Sequence, residues 1–222
     1  MCACAAKAKG FSVLIMKETI LCFGDSNTHG TPPMVSRDHH PRFDRRWPVV
    51  MAEIRGCELI EDGLPGRTAC QLIATSADVH LDGLLGLRMA LASQGPIDRL
   101  VIMLGTNDLQ NRHGKTAAQI ASGIAALLSH AHMEETQARH GGFSTLLIAP
   151  PPVVEVGTFV PEFLGGAAKA AELTPLLREL AAAWGADFLD ACAHMAVDPI
   201  DGTHFDEAGH EALGRAVAVV LS

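Results

Sequence analysis

The sequence predicts an α/β fold in which a parallel sheet is covered by helices on both faces. Three observations carry this reading. Short, continuously apolar runs recur along the 222 residues, most of them closed by glycine or proline. A strand with one wet face would instead alternate apolar and polar residues. Between these runs lie longer stretches of helical periodicity, and such alternation is the pattern of βαβ units. No internal repeat, low-complexity linker or composition break divides the chain, so residues 17–222 read as one domain.

The elements follow in order. Ile20-Leu21-Cys22-Phe23 is a buried strand stopped by Gly24, residues 46–55 are helical, and Glu58-Leu59-Ile60 is a second, weaker strand. Residues 81–93 form a helix closed by Gly95-Pro96, because proline lacks the N–H a helix needs. Residues 100–104 are the clearest strand and end at Gly105. A long Ala-, Ile- and Leu-rich helix starts at Thr116. Leu146-Leu147-Ile148-Ala149 is the next strand, broken by Pro150-Pro151-Pro152. Residues 167–184 are helical, Asp187-Phe188-Leu189 is a short strand, and residues 206–221 form the closing helix.

Composition removes several classes of function. Hydrophobic residues make up 48% and charged residues 19%, enough to bury a core and too apolar for a disordered chain. No apolar run approaches the ~20 residues of a membrane span, so no membrane partner is expected. A formal charge of −8 argues against a nucleic-acid partner. Aromatic residues are 5% with no tyrosine, which disfavours a base-stacking platform or a sugar-binding aromatic strip. An acidic globular enzyme remains.

Residues 1–16 are expected to be a disordered leader, with Met16 as an alternative start. Lys7 and Lys9 precede the apolar run 11–16, which is shorter than the ~7–15 residues of a secretory signal and feeds into Lys17-Glu18. The six cysteines, Cys2, Cys4, Cys22, Cys57, Cys70 and Cys192, show no Cys-x-x-Cys spacing. Reduced thiols and a cytoplasmic location are therefore expected.

In a parallel sheet the chemistry belongs beyond the carboxyl ends of the strands. Four loops fall there. Gly24-Asp25-Ser26-Asn27-Thr28-His29-Gly30 turns sharply into a helix, leaving Ser26 exposed at its N-terminus. There the hydroxyl can attack and the Ser26 N–H can face an oxyanion, although Asp and Ser are also ordinary helix caps. Gly105-Thr106-Asn107-Asp108 offers the Asn107 carboxamide as a neutral donor, or merely an Asx turn. In Gly63-Leu64-Pro65-Gly66-Arg67-Thr68, Gly66 can present an unhindered N–H or simply make a turn. Asp201-Gly202-Thr203-His204 brings a carboxylate beside an imidazole, the pair that activates a serine, or caps the last helix.

Together, Gly24-Asp25-Ser26, Gly66, Gly105-Thr106-Asn107-Asp108 and Asp201-x-x-His204 resemble the four blocks of the SGNH (GDSL-type) hydrolases, over essentially residues 17–222. Residues 20–30, Gly63-Leu64, Arg67-Thr68, 101–108 and the run at Pro150 are similar to the bacterial arylesterase/acyltransferase subgroup. The resemblance implies a three-layer flavodoxin-like sandwich around a central parallel sheet, no metal, no cofactor, and ester hydrolysis through a seryl acyl-enzyme. It implies Ser26 as nucleophile, His204 as base, Asp201 as its orienting carboxylate, and an oxyanion hole of Ser26, Gly66 and Asn107. Asn27 stands where the family has leucine, Asp62 where many members have asparagine, and His29 and Thr31 where the acyltransferases have tryptophans.

The expected substrate is a small aryl or alkyl carboxylic ester, with minor acyl transfer to alcohols. The alternatives are a carbohydrate O-acetyl esterase, and a catalytically degenerate flavodoxin-like binding module. Asn27, His29, Arg67, Phe159 and Phe163 are expected around the substrate pocket. The segment bearing Phe159, Phe163 and Leu164 is long enough to be a flap, an oligomer contact or plain surface, and a homo-oligomer is expected. His39-His40, His130-x-His132 and His140 lack a carboxylate framework for a metal.

Overall fold

A computed structural model describes residues 17–36, 41–70 and 78–222; the leader expected over residues 1–16, and His39 and His40, lie outside the described residues. The strands are β1 (Thr19–Gly24), β2 (Glu58–Gly63), β3 (Arg99–Met103), β4 (Ser144–Ala149) and β5 (Asp187–Asp190). The helices are α1 (Ser26–His29), α2 (Trp47–Arg55), α3 (Gly83–Ser93), α4 (Ala117–Ala131), α5 (Glu134–His140), α6 (Val160–Phe163), α7 (Gly166–Trp184) and α8 (Glu207–Val220). All pairings are parallel, in a five-stranded sheet of order β2-β1-β3-β4-β5. The chain leaves β1 toward one edge and returns to the other side at β3. Loops leaving β1 and β3 therefore part at the switch point, where α/β sheets hold ligands.

The continuous apolar runs are explained by layers on both faces. Leu21, Phe23, Leu100, Ile102, Leu147 and Ala149 pack into one core with Leu87, Ile120, Ile124, Leu173 and Leu177 from α3, α4 and α7. The intervening residues Ile20, Cys22, Val101, Met103, Leu146 and Ile148 pack into a second core with Trp47, Met51, Leu213 and Val217 from α2 and α8. Helix starts follow the capping chemistry of the sequence. Thr116 and Gln119 make a reciprocal capping box at α4, and Asp206 accepts the Gly209 N–H at 2.7 Å at α8.

Four elements differ from the sequence expectation, one of them α5, which stands apart from the long helix that starts after Thr116. β2 extends through Glu61, Asp62 and Gly63. On this edge strand the Glu61 carboxylate is matched by Arg42 and Arg46, so a charged residue continues the strand. Leu81 belongs to a separate 3-10 turn, and α3 begins after Asp82, whose side chain accepts the Leu85 N–H at 2.8 Å. The one-turn α6 lies inside the segment that follows the proline run, carrying Pro161 in its first turn.

Candidate active site

The site begins with a close approach. A Cβ on Gly24 would lie 2.0 Å from Thr28 Oγ1 and 2.7 Å from the Met103 carbonyl, so only glycine lets the chain turn here against the end of β3. Asp25 then caps α1, its Oδ1 accepting the Asn27 N–H at 2.9 Å, and Ser26 is the first helical residue.

Asp201 and His204 come from the loop before α8. Gly202 has φ 74°, and a Cβ there would lie 2.2 Å from the Val154 carbonyl, so glycine is required on both counts. Asp201 Oδ1 accepts the Thr203 and His204 N–H groups, each at 2.9 Å. Its Oδ2 accepts the Met34 N–H at 2.8 Å and lies 2.7 Å from His204 Nδ1. Across the site, His204 Nε2 is 2.9 Å from Ser26 Oγ, joining residues 178 positions apart. With its Nδ1–H donated to Asp201, the imidazole leaves Nε2 as acceptor for the serine O–H. Burial pushes the Asp201 carboxyl up, but the His204 hydrogen bond and charge, with the backbone N–H groups, outweigh it and hold it below the ordinary value.

Asn107 opens the 3-10 turn after β3. Its Nδ2 donates to the Arg67 carbonyl at 3.1 Å and lies 3.4 Å from Asp25 Oδ2, while its Oδ1 accepts from Gln110 Nε2 at 3.1 Å. The next residue, Asp108, is fully buried, pairs with Lys115 at 2.5 Å and accepts the Ala69 N–H at 2.8 Å. That pair ties the Asn107 loop to the chain that follows Gly66.

Ser26, Gly66, Asn107 and His204 share one cavity of about 320 Å³. Met34, Pro65, Phe159 and Phe163 give it apolar walls, and Thr31, Gln110, Arg112 and Thr203 supply polar groups. The Phe159 ring meets His204 edge-on, with centroids 5.9 Å apart. Phe159 and Phe163 thus reach the pocket within a single chain and are buried there, whereas Leu164 of the same segment is exposed.

Several expectations are corrected. Ser26 is 7% exposed, because the pocket walls cover it. Asn27, His29 and Arg67 do not line the cavity. Successive residues of a helix point about 100° apart, so Asn27 turns away from the side that Ser26 faces. Its Nδ2 donates to the Thr203 carbonyl at 3.2 Å, bracing the His204 loop. His29 Nδ1 contacts Thr31 Oγ1 at 3.2 Å. Arg67 is a buried brace: it donates to the Gly24 carbonyl at 2.9 Å, pairs with Asp62 at 2.7 Å and lies 4.1 Å over the Phe23 ring. Of the other lining residues, Thr31 stands out in the sequence only as a departure from the acyltransferases. Those that the sequence reading did not place at the pocket, Met34, Gln110, Arg112 and Thr203, all lie within a few positions of the four blocks or inside one. Proximity to a block was the only signal that marked them.

Among the described residues no group of three or more His, Cys, Asp or Glu is placed to hold a metal ion. Nor is any described helix long and apolar enough to cross a membrane. His140 serves the fold instead, its Nδ1 accepting the Ile97 N–H at 3.2 Å.

Two buried groups near the site titrate in opposite senses. Burial raises the Asp25 carboxyl to about 6, against the Asn27 hydrogen bond and the charges of His204 and Arg67. Burial, aided by the charges of His204 and Arg46, lowers His210 to about 4. His210 lies beneath Phe43 and Phe205 and accepts the Trp47 N–H through Nδ1 at 3.3 Å. Below about pH 6.5 the unfolded histidine takes a proton that the folded one refuses, so His210 loses stability as pH falls toward 4. Asp25 works the other way: its native pKa is raised, so its contribution is present in acid and lost as pH rises through 6. The two effects oppose each other in one window. His210→Asn keeps an acceptor for the Trp47 N–H and removes the titration, so the acid loss between pH 7.5 and 4.5 should shrink by about 2.5 kcal/mol. Urea unfolding at both pH values checks this, and an unchanged difference would contradict it.

The chain belongs to the GDSL-like lipase/acylhydrolase family, whose model matches residues 22–212. It is a carboxylic ester hydrolase, and the alternative of a degenerate binding module is set aside. The aryl esterase of M. smegmatis is similar at a TM-score of 0.84 and 33% identity, over 92% of this chain and 98% of that one. Est24, a carbohydrate acetylesterase from Sinorhizobium meliloti, is similar at a TM-score of 0.85 and 33% identity, with the same 92% and 98% coverage. A carbohydrate acetylesterase family member from the same organism gives 0.78 and 30%, over 92% and 97%. No curated protein sequence matches the chain.

Proposed function

We propose that this chain hydrolyses small aryl and short alkyl carboxylic esters through a seryl acyl-enzyme. The observation that carries the reading is the unbroken hydrogen-bond chain from Ser26 Oγ to His204 to Asp201, at 2.9 and 2.7 Å, inside a pocket of acyl-group size. Ser26 Oγ attacks the ester carbonyl carbon as its proton passes to His204 Nε2, and Asp201 holds the imidazolium that forms. The oxyanion is met by the N–H groups of Ser26 and Gly66 and by Asn107 Nδ2, whose long 3.4 Å contact to Asp25 is the one it can give up. Collapse expels the alcohol, which takes the proton from His204. Water then repeats the sequence on the acyl-enzyme and releases the acid.

Asn107→Ala should lower kcat by about 10²–10³ with a smaller effect on KM, because the missing donor serves the charge that develops in the transition state. Steady-state kinetics on one aryl ester checks this; a change confined to KM would make Asn107 a substrate-binding residue instead.

A second reading, a carbohydrate O-acetyl esterase, is favoured by the likeness to Est24. The apolar walls of Met34, Pro65, Phe159 and Phe163 favour the first, since a sugar needs an open polar cleft. Those walls also reduce the advantage of water over a bound alcohol, so minor acyl transfer accompanies hydrolysis. Exposed Val154, Val156 and Leu164 on the adjoining segment fit a homo-oligomeric contact near the pocket. The deciding experiment is a panel of aryl, alkyl and acetylated-sugar esters, run with and without a primary alcohol, on protein whose mass in solution is measured. Faster turnover of acetylated sugars would reverse the order of the two readings.

A further inference from the structure

The inference concerns the charge of the substrate and rests on the esterase reading above. Among the described residues that line the cavity, Arg112 carries the one permanent charge, and none of them is a carboxylate. Arg112 lies on a 3-10 turn, Asn111–His113, directly after the block that bears Asn107. That turn is anchored on every side. Gln110 donates to Asn107, Asn111 Nδ2 donates to the Pro161 carbonyl at 3.3 Å, and Lys115 is locked to Asp108. The backbone beneath Arg112 is thus held while its side chain has no carboxylate within 4.0 Å among the described residues.

This is unusual in a chain of net charge −8. The arginines of the neighbouring loops, Arg42, Arg46 and Arg67, each reach a carboxylate. A second cation without a carboxylate partner among the described residues lies behind the turn: Lys169 donates to the Leu109 carbonyl at 2.7 Å. His113, beside Arg112, senses the local excess. Burial first, then the charges of Arg112, Lys115 and Lys169, push it down to about 4 against the single opposing pull of Asp78.

We propose that Arg112 is a specificity residue that favours esters carrying a carboxylate near the scissile bond over neutral esters of the same shape. A guanidinium at a pocket wall offers a fork of donors to a carboxylate, and the partly apolar surroundings strengthen that pairing relative to open water. Because Arg112 is exposed, the preference is moderate and falls with salt.

The test uses matched probes. 4-Acetoxybenzoate against 4-acetoxybenzamide places the charge on the alcohol side; monophenyl adipate against its amide places it on the acyl side. With kcat/KM corrected for the uncatalysed rates, the wild type should prefer the anion in at least one pair by about three- to ten-fold. The preference should be carried by KM and shrink in high salt. Arg112→Gln should bring that ratio to near one, and Arg112→Lys should keep part of it. Hydrolysis with no preference in either pair, or a preference that survives Arg112→Gln, overturns the inference and leaves the esterase reading standing. No hydrolysis of any probe overturns both.

Discussion

Ser26→Ala is expected to lower kcat for short-chain aryl esters by about 10⁶-fold, with the fold intact. The hydroxyl is asked to attack a carbonyl and to do nothing else. Among the described residues its one hydrogen bond to a side chain is the contact to His204 Nε2 at 2.9 Å, and removing it costs the fold about 1 kcal/mol or less. Residual turnover would then come only from substrate binding and the remaining oxyanion donors acting on water. Purified variant assayed beside wild type, with denaturant unfolding of both, separates the chemical effect from a structural one. Retained turnover within ten-fold of wild type would remove Ser26 from the mechanism.

Asp201→Asn is expected to lower kcat by about 10⁴-fold per folded molecule. The carboxylate accepts from four N–H groups: those of Met34, Thr203 and His204, and Nδ1 of the His204 ring. An asparagine has one acceptor oxygen, so its NH₂ must face one of these donors. If it faces the ring, His204 takes the tautomer with the proton on Nε2 and can no longer accept from Ser26. If it faces the backbone, a buried N–H loses its partner, which costs stability of about 1–3 kcal/mol. Oδ1 serves two buried backbone N–H groups and Oδ2 serves the ring and only the Met34 N–H, so the NH₂ is expected on the Oδ2 side, where kcat and the unfolding midpoint should fall together. A loss of activity below ten-fold would mean that Asp201 only shapes the loop.

The parallel sheet was legible because both faces of its central strands are buried, which leaves no polar alternation in residues 20–23, 100–103 and 146–149. The end of β2 was not, because Glu61 and Asp62 read as loop until Arg42, Arg46 and Arg67 are seen to match them. α6 is four residues long with a proline in its first turn, too short for any periodicity. The loops bearing Ser26, Gly66, Asn107 and His204 could be found because each follows a strand or precedes a helix with a glycine beside the polar residue. Side-chain direction was beyond reach. Asn27 and Arg67 looked like pocket residues by adjacency, yet one braces the His204 loop and the other the Gly24 turn. Phe159 and Phe163, expected around the pocket although remote in sequence from Ser26, reach the cavity because the chain returns over the sheet.

The claim on which the rest depends is that Ser26 is the nucleophile activated by His204. The most direct measurement is covalent labelling with a small fluorophosphonate, followed by intact-mass and peptide analysis. The account expects one phosphonyl adduct per chain, on the peptide containing Ser26. The adduct should be absent from Ser26→Ala, strongly slowed in His204→Ala, and its appearance should match the loss of ester hydrolysis. An adduct on another residue, or full loss of activity with Ser26 unmodified, would contradict it.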